Sequence, residues 1–165
     1  MISQTSEYAL RAAVFLAARN TENPASALEI SDATRVPVGY LQKILRMLAK
    51  HKILTAHRGT NGGFNLAKLP TAISVLDILK ASDTVIARIE RCPLGIKGHT
   101  KLCSLHRLID QELARSESTF ASTSLADLVD GVGGIRPLCD PTGRLPTSVE
   151  LTTSSVQKTP KSKAR

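Results

Sequence analysis

The stretch from Ser26 to Leu66 constrains this chain more than any other part of it. Ser26 stands three residues before Glu29 in the pattern of a capping box, so a short helix is expected over about 26–34. Arg35 and Val36 leave room only for a tight connection. Pro37 then suits the first turn of a third helix, because its missing N–H has no intrahelical acceptor to lose. Through YLQKILRMLAKH, the residues Leu41, Ile44, Leu45 and Leu48 recur at three- and four-residue spacing and define one buried face. Two short helices around a brief turn make a helix-turn-helix. The next residues, ILTAHRGTNGGFNLAK, read as two short strands, since Ile53, Leu54, Phe64 and Leu66 flank a tip containing Gly59, Asn61, Gly62 and Gly63. A hairpin in that place is a wing.

The flanking sequence extends the same architecture. Residues 4–19 place Tyr8, Leu10, Ala13, Val14 and Ala17 at helical spacing, with Ser6 and Glu7 near the start, and TENP closes that helix. After Pro70, ISVLDILKASD predicts a short helix with Ile73, Leu76 and Leu79 as apolar positions and Ser74 as its cap. From Cys103 to about Glu117, the spacing of Leu105, Leu108, Ile109 and Leu113 describes a longer amphipathic helix, suited to a dimer seam. SLADLVDG is a short helix stopped by Gly131. Beyond about residue 132, Gly, Pro, Ser, Thr and Lys dominate, the composition of a disordered tail. The expected fold is therefore mainly α with a small β-hairpin wing. Its expected divisions are a winged helix-turn-helix over 1–70, a sensor loop and dimerisation helices over 71–131, and a flexible basic tail over 132–165. With three Phe, two Tyr and no Trp, the core must be built from aliphatic side chains, which suits packed helices.

Charge narrows the function. The net charge is +8 over 165 residues, and the excess is concentrated in the first 70 residues and the last 15, while the middle is nearly balanced. A basic N-terminal module gains from counterion release on a polyphosphate backbone. The helix from Pro37 offers Tyr40, Gln42, Lys43, Arg46 and Lys50 on its polar face, residue types that reach base edges and phosphates from the major groove. Gln42 is the expected base reader. In the wing, His57, Arg58 and Gly59 would let basic side chains and bare backbone approach a strand, with Arg58 aimed at a narrow minor groove. The same residues also suit a solvated helix face and an ordinary hairpin turn. A winged helix can serve as a protein-interaction module instead, which would bind DNA weakly and with little salt dependence.

The chain shows no nucleophile with an orienting base, no paired-carboxylate pocket and no phosphate loop, because RGTNGG lacks the Lys-Ser/Thr ending. An enzyme is not expected. The N-terminus lacks a basic stretch before an apolar run, and no span approaches eighteen uninterrupted apolar residues, so a soluble, cytoplasmic protein without membrane contact is expected.

Three cysteines, an odd number, argue against a disulfide framework. Cys92, His99, Cys103 and His106 could converge on one metal if PLGIKGHTK folds back, a donor set for tetrahedral zinc or a two-iron cluster of mixed ligation. Two other readings stand beside it: Cys92 as a packing residue with His106 as a partly exposed interface residue, and a thiol switch at Cys103, whose place at a helix N-terminus favours the thiolate. Cys139 falls in the tail and reads as an incidental thiol; Lys158, Lys161, Lys163 and Arg165 there form a solvated run able to touch DNA non-specifically.

Four stretches, SEYALRAAVFLA, VPVGYLQKILRMLAKHKIL, RGTNGGFNLAK and CPLGIKGHTKLCSLHRLID, together resemble the Rrf2 family of winged-helix regulators, the group of IscR-like and NsrR-like proteins, over about residues 1–131. The resemblance implies a homodimeric transcriptional regulator, by expectation a repressor, on a pseudo-palindromic double-stranded DNA operator. It puts Tyr40, Gln42 and Lys43 in recognition-helix positions and Arg58 in the minor-groove position. Many relatives hold an iron-sulfur cluster with three cysteines at about five-residue intervals. Here Cys92 and Cys103 match only the outer pair, with Gly98 and His99 where the middle cysteine would fall. Glu7 matches a position that supplies a partner carboxylate in some relatives. What the resemblance leaves open is whether the segment holds an iron-sulfur cluster, zinc or no metal.

Overall fold

The computed structural model describes residues 2–19, 23–59, 62–82, 84, 86–93, 95 and 101–131. Helix α1 spans Gln4–Ala18, capped by the Ser3 hydroxyl, which accepts the N–H of Ser6. Its buried residues are Ser6, Ala9, Ala12, Ala13, Val14, Phe15 and Leu16, whereas Tyr8, Leu10 and Ala17 are only partly buried. The buried stripe is thus wider than, and displaced from, the expected one. The reason is that α1 is packed on by four other helices at once, and its alanines admit their close approach.

Helix α2 spans Ala27–Thr34. Ser26 caps it by accepting the Glu29 N–H at 3.1 Å, but the Glu29 carboxylate pairs with Arg19, so only half of the expected capping box forms. Arg35, at φ 56° and ψ 35°, terminates the helix in the left-handed region. Helix α3 spans Val38–Lys50, with Pro37 one place earlier than expected, as the N-cap. Leu41, Ile44, Leu45 and Leu48 are all 2% exposed or less, as their spacing requires.

Strands β1 (Leu54–His57) and β2 (Gly63–Leu66) pair antiparallel, Leu54 opposite Leu66 and His57 opposite Gly63. The wing is also stitched to the residue before the α2 N-cap: Ala25 and Phe64 exchange both backbone hydrogen bonds, at 3.0 and 2.8 Å. A Cβ on Gly63 would lie 2.4 Å from the Ala25 carbonyl oxygen. Gly63 therefore serves this internal approach within the protein.

A short 3-10 turn at Pro70–Ala72 precedes α4 (Val75–Ala81), which starts later than Ile73 because Ser74 and Asp77 close a full capping box. Helix α5 runs Ser104–Ser122, five residues past the expected end, and α6 spans Leu125–Asp130, stopped by Gly131 at φ 72°. The chain returns from α5 onto α4 through the bonds Val75 N–H to Thr123 O and Leu125 N–H to Ile73 O, both 2.9 Å. Leu125 is wholly buried in the same cluster as α1 and α3. By contrast no residue of α5 is buried, and Leu105, Leu108 and Ile109 are 60%, 58% and 41% exposed. Among the described residues no helix is long and apolar enough to cross a membrane. His99, Cys139 and the segment 132–165 lie outside the described residues.

Candidate nucleic-acid interface and cysteine–histidine cluster

The apolar face of α3 is pressed into the core, so its opposite face is presented outward. Tyr40, Gln42, Lys43, Arg46 and Lys50 are all exposed. Their register follows from the burial of Leu41, Ile44, Leu45 and Leu48: with 3.6 residues per turn, the intervening positions must point away. His57, Arg58 and Gly59 are exposed at the wing tip, and Gly59 adopts φ 109°, a conformation L side chains avoid. Asn61, also expected at the tip, lies outside the described residues.

Tyr40 is held more firmly than its 40% exposure suggests. Its hydroxyl shares a 2.5 Å hydrogen bond with Thr5 Oγ1 of α1, and its ring meets the Tyr8 ring edge-on, centroids 5.9 Å apart. Tyr8 in turn accepts a bond from Gln4 Nε2 at 2.9 Å and lies beneath the Arg11 guanidinium. Arg11 donates to the Thr34 carbonyl at the end of α2, and to Glu7 at 2.5 Å. One face of α1 thus grips both helices of the helix-turn-helix. Glu7, expected as a metal ligand from a partner subunit, here forms an ion pair with Arg11.

Cys92, Cys103 and His106 come together, their ligand atoms all within 4.8 Å of one another. His106 Nδ1 lies 3.2 Å from Cys103 Sγ and 3.6 Å from Cys92 Sγ. All three residues are half-buried. Helix α5 creates the pair Cys103 and His106, because its N-cap and its third residue lie on the same side of the first turn. The His106 N–H stabilises the thiolate of Cys103 most; the Leu105 N–H and the Cys92 thiol add to this, against the opposing effect of burial. The thiol accordingly ionises below its usual range, although no regular side-chain capping bond is closed.

Cys92 reaches this cluster because the strand of chain before it is fastened to α5. Arg88 makes two 2.7 Å bonds to the Asp110 carboxylate, and the Ile89 N–H donates to the same group at 2.9 Å. The Arg88 bonds, with that from Ile89, hold the Asp110 carboxyl down to about 2. The sequence reading passed over Asp110 and Thr5. Only the place of Cys103 at a helix N-terminus is visible locally; the partners of Asp110 and Thr5 are 22 and 35 residues away.

Two thiolates and an imidazole suit zinc or iron held in sulfide. Ligand atoms bound tetrahedrally to zinc at about 2.3 Å (sulfur) and 2.0 Å (nitrogen) lie about 3.6 Å from each other. The observed sulfur–nitrogen separations of 3.2 and 3.6 Å are close to that spacing, so the three donors fit such a metal.

Comparison with known proteins agrees with this architecture. A family model, Rrf2, described as an iron-dependent transcriptional regulator, matches residues 2–131. The HTH-type transcriptional regulator NsrR of Bacillus licheniformis is 25% identical over 140 residues, covering 83% of this chain and 97% of its own. The HTH-type transcriptional regulator Rv1287 of Mycobacterium tuberculosis is 31% identical over 134 residues, 79% of this chain and 81% of its own. In fold, the chain is similar to CymR, the global cysteine regulator of B. subtilis, with a TM-score of 0.69 at 24% identity, covering 79% of this chain and 96% of that one. It is also similar to IscR of T. potens, with a TM-score of 0.60 at 25% identity over 79% of this chain and 86% of that one. The chain belongs to the Rrf2 family and is a DNA-binding transcriptional regulator of the winged helix-turn-helix class.

Proposed function

We propose that the protein is a homodimeric repressor that reads a pseudo-palindromic operator with α3 and the wing, and that Cys92, Cys103 and His106 hold a metal that reports iron or redox status. Gln42 reads a base edge; Tyr40, Lys43, Arg46 and Arg58 contact the DNA backbone or minor groove, where the bare backbone of Gly59 permits close approach. Support for a second copy comes from Leu105, Leu108 and Ile109, an apolar row on α5 that is exposed among the described residues. The observation that carries the metal reading is the convergence of two thiols and an imidazole within 4.8 Å. His99 is the fourth donor by sequence position, and Glu7 of the second copy is the alternative, at the cost of its Arg11 pair. When bound, the group supplies redox or iron sensitivity; what this chain contributes is the hold on it through α5 and the Arg88–Asp110 clasp.

The test is anaerobic purification without a chelating tag, followed by iron, zinc and sulfide analysis and a visible spectrum, on wild type and Cys92→Ala. Iron with stoichiometric sulfide and visible absorbance, lost in Cys92→Ala, is the expected result for a cluster. Zinc without sulfide assigns a structural site. A metal-free, colourless protein that still binds DNA contradicts the metal reading and leaves thiol chemistry at Cys103.

A further inference from the structure

We infer that Thr5, on a helix that is not the recognition helix, is a positioning residue for DNA recognition and acts through the phenol of Tyr40. The inference rests on the reading of Tyr40 as a DNA contact.

Tyr40 is the third residue of α3, and the N-terminal residues of a recognition helix are those that meet the DNA. Its ring is set by the edge of Tyr8 and its hydroxyl by Thr5, so little torsional freedom remains to be lost on binding.

The chemistry of that hydroxyl fixes the sense of the hydrogen bond. A phenol carries one proton, and phosphate oxygens only accept. If Tyr40 gave its proton to Thr5, it would have none for the DNA. Either oxygen can donate across the 2.5 Å contact, so in the DNA complex Thr5 donates and Tyr40 keeps its proton for a phosphate or a base acceptor. A bond arriving at the phenol oxygen also polarises its O–H and strengthens the bond it gives.

Thr5 can act this way because its own turn is immobilised. The adjacent Ser6 is fully buried; its hydroxyl receives the Ser82 hydroxyl at 2.8 Å and bonds to Ser3 and Thr84. That anchors the first turn of α1 to the end of α4. One helical turn on, Arg11 fixes the end of α2 by its bond to the Thr34 carbonyl. Helix α1 is therefore a brace that sets the phenol relative to the rest of the helix-turn-helix, and Thr5 is its point of contact with the recognition helix.

The experiment uses the full chain, the duplex it enriches from a random pool, and an unrelated duplex of equal length, over a series of salt concentrations. Thr5→Val keeps the shape and removes the proton. It should bind the enriched duplex about three- to tenfold more weakly, the worth of one hydrogen bond. The salt dependence and the thermal midpoint should stay as in wild type, because no charge is removed, and Thr5→Ser should restore binding. Tyr40→Phe should weaken binding by a similar factor, and adding Thr5→Val to it should cost nothing more. If Tyr40→Phe weakens binding but Thr5→Val does not, or if the two losses multiply, the positioning role is overturned. If Tyr40→Phe binds as wild type, the assignment of Tyr40 to DNA is wrong and the role of Thr5 falls with it.

Discussion

Asp110 gathers three hydrogen bonds on one carboxylate, two from Arg88 and one from the Ile89 backbone, and so ties the approach to Cys92 onto α5. Its pKa falls to about 2 in the folded protein. A carboxyl depressed on folding stabilises the native state above its unfolded pKa of about 3.9, and this contribution disappears as the pH falls from there through the folded value. Protection of the amides across residues 86–92, relative to their intrinsic exchange, should therefore fall between about pH 4 and pH 2. Asp110→Asn should show fast exchange there already at neutral pH. Equal protection in the two proteins would show that the clasp does not hold the segment. Pairs of this kind are invisible in the sequence, because Arg88 with Asp110 and Thr5 with Tyr40 are brought together by the fold. The four buried leucine and isoleucine positions of α3 are legible, since their periodicity is itself the cause of their burial.

At the level of elements, short-range signals found the helix ends wherever one side chain closes the bond. The capping boxes at Ser74 and Ser124 are complete, whereas at Ser26 the Glu29 carboxylate is taken by Arg19, a partner that local spacing does not reveal. The wing was legible as a hairpin, but its docking on Ala25 was not, because a single two-bond bridge leaves no periodic trace. That docking makes Gly63 a sensitive position. In Gly63→Ala the added Cβ, 2.4 Å from the Ala25 oxygen, must push the backbones apart and break the bridge. We expect a loss of about 1–3 kcal/mol in urea unfolding, read as a lower midpoint at unchanged slope. A midpoint equal to that of wild type would show that the wing is not fastened there.

At the scale of the whole molecule, the described residues form one core with one excursion. Helices α1 to α4, the wing and α6 share buried residues, while α5 leaves after the cysteine–histidine cluster and returns with no residue buried. This arrangement places the polar, basic face of α3 and the wing on the outside, and leaves Leu105, Leu108 and Ile109 of α5 exposed. The most direct measurement is the salt dependence of operator binding for wild type, Gln42→Ala and Arg58→Ala, on the enriched and the unrelated duplex. Gln42→Ala should lose about 1–3 kcal/mol on the enriched duplex alone with its salt slope intact, and Arg58→Ala should lower the slope by about 1. If wild type shows neither preference nor salt dependence, or both substitutions leave binding unchanged, α3 and the wing are not the DNA-reading surface.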